Sequence, residues 1–460
     1  MVDSATRPRP EPEDCLVRRF LRHPVRLVPI GFLVAIALGT GVLMLPWATS
    51  EHRYTPLVTA AFTATSAVSV TGMAVNDTPN YWNTFGLVTI TVLTQVGGLG
   101  ILTGAALVSL AVTRQLGLSN RLLVQAETAE YGIGDVRRLL MRIATTVLVS
   151  EALITLIIGG RLWFGYGYPP GRALWYALFH AVQAFNNGGF ALYTDGLLAF
   201  SRDPWVALPL AFGAIVGGLG FPALFEAVRR WRRPVRWAIA TKLTIWGSVL
   251  LLTGGFILLL AAEWANPATI GTYDVPGKVL ASFTQIALSR TGGFDVIRVG
   301  SLSEESYPLL IVLMFIGGGA ASTAGGIKVS TFFLLAFAIR AELRGDPDVT
   351  VGRRRVAVES MRQALTVALL SVALVTVGTI GLTVLTNGVQ YYESLFEVTS
   401  AFSTTGLSVD LAQRLPEAGQ WVLTALMYIG RVGPLTLGSA IALNTRRRLY
   451  RYPKEQPIVG

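Results

Sequence analysis

The stretch Thr65-Ser66-Ala67-Val68-Ser69-Val70-Thr71-Gly72-Met73 brings small side chains up to a single glycine, with a long apolar segment on either side. Nearly the same phrase occurs three more times. Ala181-Val182-Gln183-Ala184-Phe185-Asn186-Asn187-Gly188-Gly189-Phe190, Ile286-Ala287-Leu288-Ser289-Arg290-Thr291-Gly292-Gly293-Phe294 and Ser400-Ala401-Phe402-Ser403-Thr404-Thr405-Gly406-Leu407 each run through small or aromatic residues to glycine. One unit recurring along a chain marks a repeat architecture. Four copies point to a ring built by one polypeptide. Glycine enters φ > 0 without steric penalty. Each copy can therefore turn bare carbonyls toward a common axis, and bare carbonyls are what replace the water shell of an ion.

The 460 residues are 52% hydrophobic and 14% charged, whereas a soluble domain is about a quarter charged. Long apolar runs recur throughout, which points to a multi-pass membrane protein. A net charge of +11 raises nucleic acid as a partner, an idea removed below by where the arginines fall. One cysteine, Cys15, leaves no internal disulfide framework and no cysteine metal site. His23, His52 and His180 stand far apart and form no HExxH pair. Met1 to Asp14, rich in proline, arginine and acid, reads as a disordered tail. The apolar run behind it is long and lacks an A-x-A site near its end, so it is expected to stay as a membrane helix.

Hydropathy predicts eight long helices, near 26–47, 81–113, 138–164, 204–230, 237–264, 306–341, 358–386 and 417–445. Between the members of each pair lies a shorter segment ending in the glycine phrase: Pro56 to Ala67, Arg172 to Phe185, Gly277 to Leu288 and Gln390 to Phe402. A dozen helical residues span about 18 Å, too little to cross a hydrocarbon core about 30 Å thick. These segments are expected as re-entrant helices. The unit is helix, short helix, glycine turn, helix. It divides the chain into a basic tail at 1–25, repeats at 26–114, 138–231, 232–342 and 358–445, linkers at 115–137 and 343–357, and a tail at 446–460.

Arginine sets the orientation. Arg114, Arg121, Arg137 and Arg138 join the first repeat to the second, Arg229, Arg230, Arg232, Arg233 and Arg236 the second to the third, and Arg340, Arg344, Arg353, Arg354 and Arg355 the third to the fourth. Arg18, Arg19, Arg22 and Arg26 precede the first helix, and Arg446, Arg447, Arg448 and Arg451 follow the last. The positive-inside rule puts all five clusters, and both termini, on the cytoplasmic side, with the glycine turns facing outward. One span too many or too few would flip half of these clusters. Membrane lipids, through their anionic headgroups, are the partner such clusters imply, not nucleic acid.

The second long helix of every repeat carries glycines of its own: Gly97-Gly98-Leu99-Gly100, Gly217-Gly218-Leu219-Gly220, Gly317-Gly318-Gly319, and Gly430 with Gly433. They serve either close helix packing through small residues or the lining of a pore.

At this point the chain resembles the membrane subunits of the Trk/Ktr/HKT potassium transporter superfamily, most closely the bacterial KtrB type. The matching stretches are Gly39-Thr40-Gly41-Val42-Leu43-Met44-Leu45-Pro46, Phe62 to Gly72, Gln95 to Gly100, Ala184 to Phe190, Ser289 to Phe294, Ser322-Thr323-Ala324-Gly325-Gly326-Ile327-Lys328 and Tyr428-Ile429-Gly430-Arg431-Val432-Gly433-Pro434-Leu435. The resemblance implies an all-α membrane protein of four covalently linked M1–pore helix–M2 repeats. It gives eight transmembrane helices around a pseudo-fourfold, potassium-channel-like pore in the cell membrane. It implies potassium uptake through a filter of Val70, Thr71 and Gly72, of Asn187, Gly188 and Gly189, of Thr291, Gly292 and Gly293, and of Thr404, Thr405 and Gly406. The ion would be held by the carbonyls of Gly72, Gly189, Gly293 and Gly406. In this superfamily a serine at the first filter position goes with sodium preference, and here that position is Gly72. The resemblance further implies a homodimer docked on a cytosolic KtrA-like ring of nucleotide-binding regulatory subunits. Sodium regulating or accompanying uptake is the open alternative, that of a sodium- or proton-coupled cotransporter.

The residues carry this reading some distance on their own. The TVGYG signature of potassium channels is absent, and one glycine per repeat gives fewer stacked carbonyl rings and looser discrimination. The short helices aim the negative ends of their dipoles at the ion. Asp77, Asp195, Asp295 and Asp410 follow the four turns, either as a negative mouth or as local caps, as Asp77 before Thr78-Pro79 suggests. Gly317-Gly318-Gly319-Ala320-Ala321-Ser322-Thr323-Ala324-Gly325-Gly326 is no comfortable helix, and unwound backbone at membrane depth needs protein or water around it. The resemblance makes it an intramembrane gate that includes Gly317, Gly318, Gly319, Ser322, Thr323, Gly325, Gly326 and Lys328. Arg431 sits mid-helix, where a charge marks function. The resemblance puts it under the filter facing the gate, and an ion pair with Glu226 or Glu397 is the alternative. Arg290, Asn186 and Asn187 are expected to brace filter carbonyls.

No nucleophile elbow, metal spacing or phosphate-binding loop appears: Gly325-Gly326-Ile327-Lys328 lacks the GK[ST] order. The sequence therefore argues against an enzyme, against ATP hydrolysis by this chain, and against any organic cofactor. The transported ion is expected to be potassium, with sodium as a second candidate.

Overall fold

The computed structural model describes residues 24–115, 135–352, 354–386 and 388–443. Most of the tail at 1–25 and of the linker at 115–137, and the whole tail at 446–460 with its arginines, lie outside the described residues. Four short helices stand where the glycine phrases predict them: α2 (Leu57–Val68), α5 (Pro170–Asn186), α9 (Val275–Ser289) and α13 (Tyr391–Phe402). Their starts are chemically marked. Proline opens α5 and stands second in α9, where its missing N–H costs nothing. At α13, Gln390 and Glu393 form a reciprocal capping box.

Around the short helices stand α1 (Pro24–Leu43) and α3 (Thr84–Gln115), α4 (Asp135–Gly160) and the pair α6 (Pro204–Leu219) and α7 (Phe221–Arg229). Then come α8 (Ile239–Glu263), the pair α10 (Ser306–Phe315) and α11 (Val329–Arg344), α12 (Val358–Leu385) and α14 (Glu417–Leu443). A two-residue-per-strand hairpin, β1 (Thr350–Val351) with β2 (Arg354–Arg355), follows α11. Among the described residues three helices are long and apolar enough to cross a membrane: 138–165, α8 and α12. The pair α6 and α7, bent by 99°, makes a fourth if counted as one span.

One helix expected to be continuous is broken, and another is interrupted at the glycine-rich stretch where the sequence predicts it. The one near 204–230 turns by 99° at Gly220, which sits at φ +84° and is followed by Phe221-Pro222. A non-glycine residue would be strained there, and proline forbids the helix from continuing unkinked. The helix near 306–341 stops at Phe315 and resumes at Val329, with residues 316–328 as a folded loop between.

Each short helix packs between its own two flanking helices and against one more. That extra neighbour is α3 for α5, α6 for α9, α10 for α13 and α14 for α2, so the packing runs round and returns to its start. The ends of the short helices are solidly enclosed: every residue from Ala60 to Val68 and from Phe396 to Phe402 is buried. By contrast, Leu148, Val149, Leu156, Trp246, Leu250, Leu369 and Val377 on α4, α8 and α12 point outward. Large apolar side chains facing out along the helices suit lipid rather than water as solvent.

Candidate functional site

The site is built from the four turns that end α2, α5, α9 and α13. Gly72, Gly189, Gly293 and Gly406 all hold positive φ, at +85°, +70°, +73° and +95°. They are also each other's neighbours. A methyl group added at Gly72 would strike Gly188 and Gly189, and one at Gly189 would meet Gly293. One at Gly293 would strike the Thr405 carbonyl, and one at Gly406 the Thr71 carbonyl. The four backbones meet with no room for a side chain between them. Two residues earlier the chain is already turned: Val70, Asn187 and Thr404 have φ of +56°, +62° and +50°. For the β-branched Val70 and Thr404 this conformation costs about 1–3 kcal/mol each, and such strain gathers at functional sites. Val70, Thr71, Asn187, Gly188, Thr291, Gly292, Thr404 and Thr405 are all buried.

The helix glycines press on the same turns. A methyl at Gly97 would strike the Val68 carbonyl, at Gly217 the Phe185 carbonyl and at Gly430 the Phe402 carbonyl. Of the two alternatives for these clusters, close packing is what the structure has at Gly97, Gly98, Gly217 and Gly430. Each long helix lies directly against the end of a short one.

The loop 316–328 lies alongside. Ile316 and Ile327 pair as a bridge at its base, and Val329 N–H donates to the Gly318 carbonyl at 2.9 Å. Gly319 N–H donates to Gly218 O at 2.8 Å, and Thr323 N–H to Gly217 O at 3.2 Å, tying the loop to the bend of α6. Inside it, Ser322 Oγ donates to Gly319 O at 2.7 Å. Lys328 Nζ donates to Ala324 O at 2.6 Å. Gly325 abuts Thr404 Oγ1 and the Ser403 carbonyl, and Gly326 has φ +65°. Arg431 donates to the Thr323 carbonyl. The ion pair expected as its alternative is not formed. Glu226 instead accepts from Thr241 Oγ1 at 2.6 Å and from Ala238 N–H at 3.1 Å, and Glu397 from Ser408, Val409 and Leu411.

Arg290 and the two asparagines correct an expectation, because none of the three braces a glycine-turn carbonyl. Arg290 Nη2 donates to the Gly317 carbonyl at 2.9 Å, so it holds the loop. The Asn187 amide lies 3.0 Å from Thr323 Oγ1, again on the loop. Asn186 Nδ2 donates to Glu151 Oε1 at 3.0 Å, to Gln95 Oε1 at 2.8 Å and to the Val182 carbonyl at 3.0 Å. Competing acceptors take these donors: the loop takes Arg290 and Asn187, and the acid on α4 takes Asn186. Glu151, 5% exposed in the middle of α4, went unnoticed at the level of sequence. A lone acid in an apolar helix was the available signal.

The four aspartates differ in their local partners. Asp77 Oδ2 accepts from Asn80 at 2.5 Å and from Thr194 at 3.0 Å. Asp195 pairs with Arg298 at 3.4 Å. Asp295 is half-buried, and Asp410 turns at φ +62°. Among the described residues no group of histidine, cysteine, aspartate and glutamate side chains could hold a metal ion.

The family model described as "Cation transport protein" (TrkH) matches residues 23–445. The chain belongs to the TrkH cation transport family. Family members among its relatives include Ktr system potassium uptake protein B of Bacillus subtilis, 37% identical over 439 residues, 95% of this chain and 97% of that one. Potassium/sodium uptake protein NtpJ of Enterococcus hirae is 31% identical over 444 residues, 95% of this chain and 97% of that one. The crystal structure of the potassium transporter TrkH from Vibrio parahaemolyticus superposes with a TM-score of 0.69 at 20% identity, covering 92% of this chain and 85% of that one. The fold is thus the TrkH fold, and the chain is a membrane protein of a cation transporter family rather than of an enzyme family.

Proposed function

We propose that the chain is the pore-forming subunit of a potassium uptake system, with the four glycine turns as its ion filter. The observation that carries this reading is the mutual contact of Gly72, Gly189, Gly293 and Gly406, all at positive φ and with no space for a Cβ. Backbone held so close around one axis offers carbonyl oxygens in place of water. The closed circuit of short-helix packing supports four M1–pore helix–M2 repeats with eight spans about a pseudo-fourfold axis. The bent α6–α7 pair counts then as one span and the broken α10–α11 pair as another. The loop 316–328 is the gate, tethered by Arg290 and Arg431. Both termini are cytoplasmic on the arginine count. The working form is a homodimer on a cytosolic, nucleotide-binding, KtrA-like ring, as the Ktr system name of the relatives suggests.

The test is flux of potassium, rubidium, sodium and lithium through the purified chain in liposomes under an imposed gradient. Potassium and rubidium are expected to exceed sodium and lithium; a measurable sodium flux equal to the potassium flux overturns the filter, and no flux of any ion moves the test to the chain lacking residues 318–323. Gly72→Ser is expected to move the permeability ratio toward sodium by about tenfold, which corresponds to about 1.4 kcal/mol. Its Cβ would push on Gly188 and Gly189, and an unaltered ratio removes Gly72 from the filter. The NtpJ relative is named for potassium and sodium together, so potassium flux is compared with and without a sodium gradient. Acceleration by sodium would mean coupling.

A further inference from the structure

Three of the short helices carry the same device one to two turns back from their ends. On α5, His180 stands nine residues before Gly189, and its Nε2 accepts from the N–H of Leu192 at 3.3 Å. On α9, Gln285 stands eight residues before Gly293, and its Oε1 accepts from the N–H groups of Val296 at 2.9 Å and Ile297 at 3.0 Å. On α13, Glu397 stands nine residues before Gly406. Its Oε1 accepts from Ser408 Oγ at 2.5 Å, from Val409 N–H at 3.0 Å and from Leu411 N–H at 3.3 Å. In all three the backbone N–H that is captured belongs to the third residue past the glycine. The three side chains are buried, His180 to 2% exposure and Gln285 and Glu397 to 0%. On α2, Thr63 occupies the matching place before Gly72, with a side chain that ends two bonds sooner.

The segment leaving each glycine is neither helix nor sheet, so its buried N–H groups need an acceptor from elsewhere. The short helix supplies it, and in doing so fixes how far the segment stands from the helix. His180 is set for this task by its other nitrogen, Nδ1, which faces the Tyr176 carbonyl at 2.6 Å. With Nδ1 as donor, Nε2 is left as the acceptor.

We propose that His180, Gln285 and Glu397 are positioning residues for ion selectivity, each setting the filter carbonyls of its repeat through the segment that follows the glycine. The inference rests on the filter reading of the glycine turns. It is tested by equilibrium binding, which does not depend on whether a gate is open. Full-length protein is titrated with potassium, rubidium and sodium chloride at constant ionic strength, with its unfolding midpoint as readout. Glu397→Leu and Gln285→Leu are expected to narrow the potassium-to-sodium affinity ratio about fivefold, the loss of about one hydrogen bond. Glu397→Gln, whose amide oxygen can accept the same bonds, is expected to rescue the ratio. Should Glu397→Leu not fold, Glu397→Asp takes its place, with a carboxylate one methylene too short to reach Val409. A ratio unchanged in these variants but shifted by Gly72→Ser overturns the positioning role and leaves the filter standing. A ratio moved by none of them, Gly72→Ser included, overturns both.

Discussion

A chain from which residues 318–323 are removed is expected to pass potassium at least about tenfold faster than the intact chain when no partner is present. Tenfold requires the barrier to fall by only about 1.4 kcal/mol, and the loop is held by more than that. Arg290 and Arg431 each give a charged donor to a loop carbonyl, at Gly317 and Thr323, and such bonds are worth about 1.5–3 kcal/mol each. On the proposed gate reading these bonds hold the loop shut at rest, and a partner supplies the energy to move it. Excision suits this geometry. The ends of the cut come together, since Gly317 already lies against Gly325 and the bridge between Ile316 and Ile327 remains. The six residues removed include Thr323, and with it the contacts to Asn187, Gly217 and Arg431. Potassium or rubidium uptake into liposomes is the measurement, with elution volume and unfolding midpoint as the check on folding. A folded deletion that conducts no better than the intact chain would sink the gate assignment.

How much of this was legible in the sequence differs from element to element. The short helices were read to within a few residues: Pro56 to Ala67 against Leu57–Val68, and Gln390 to Phe402 against Tyr391–Phe402. Burial on all sides makes a helix end apolar and small, and glycine punctuates the turn, so local composition carries both. The loop was legible for the converse reason, since ten residues of glycine, alanine, serine and threonine cannot hold a helix. The bend at Gly220 was not, because one glycine in Gly217-Gly218-Leu219-Gly220 looks like packing until Ala320 is seen wedged against it. The left-handed turns at Val70 and Thr404 were beyond sequence reasoning, because β-branched residues argue locally against that conformation. Tertiary contacts impose it. Pairing across the fold was equally hidden. Nothing local tells that Asn187 reaches Thr323, or that Arg290 serves Gly317 rather than its own turn.

Gly406→Ala is expected to reduce potassium flux by about a hundredfold or more, while Gly345→Ala leaves it near that of the intact chain. The two glycines share a backbone that strains any residue with a side chain, with φ of +95° and +69°. A left-handed conformation costs an L-residue about 1–2 kcal/mol, so both variants lose a similar amount of stability from the backbone alone. They differ in what the new methyl meets. Around Gly345, the cap of α11, there is nothing within 4 Å. At Gly406 the methyl runs into the Thr71 carbonyl and the backbone of Gly72, on the neighbouring turn. Something must shift there, and every atom in reach is backbone that also carries a proposed ion ligand. A hundredfold loss corresponds to about 2.7 kcal/mol on the barrier, a modest demand on a displaced carbonyl pair where the ion has no water to fall back on. Unfolding midpoints and rubidium flux measured on both variants separate strain from obstruction. Flux lost equally in both would trace the effect to stability. Flux retained in Gly406→Ala would mean that the ion does not pass between the four turns at all.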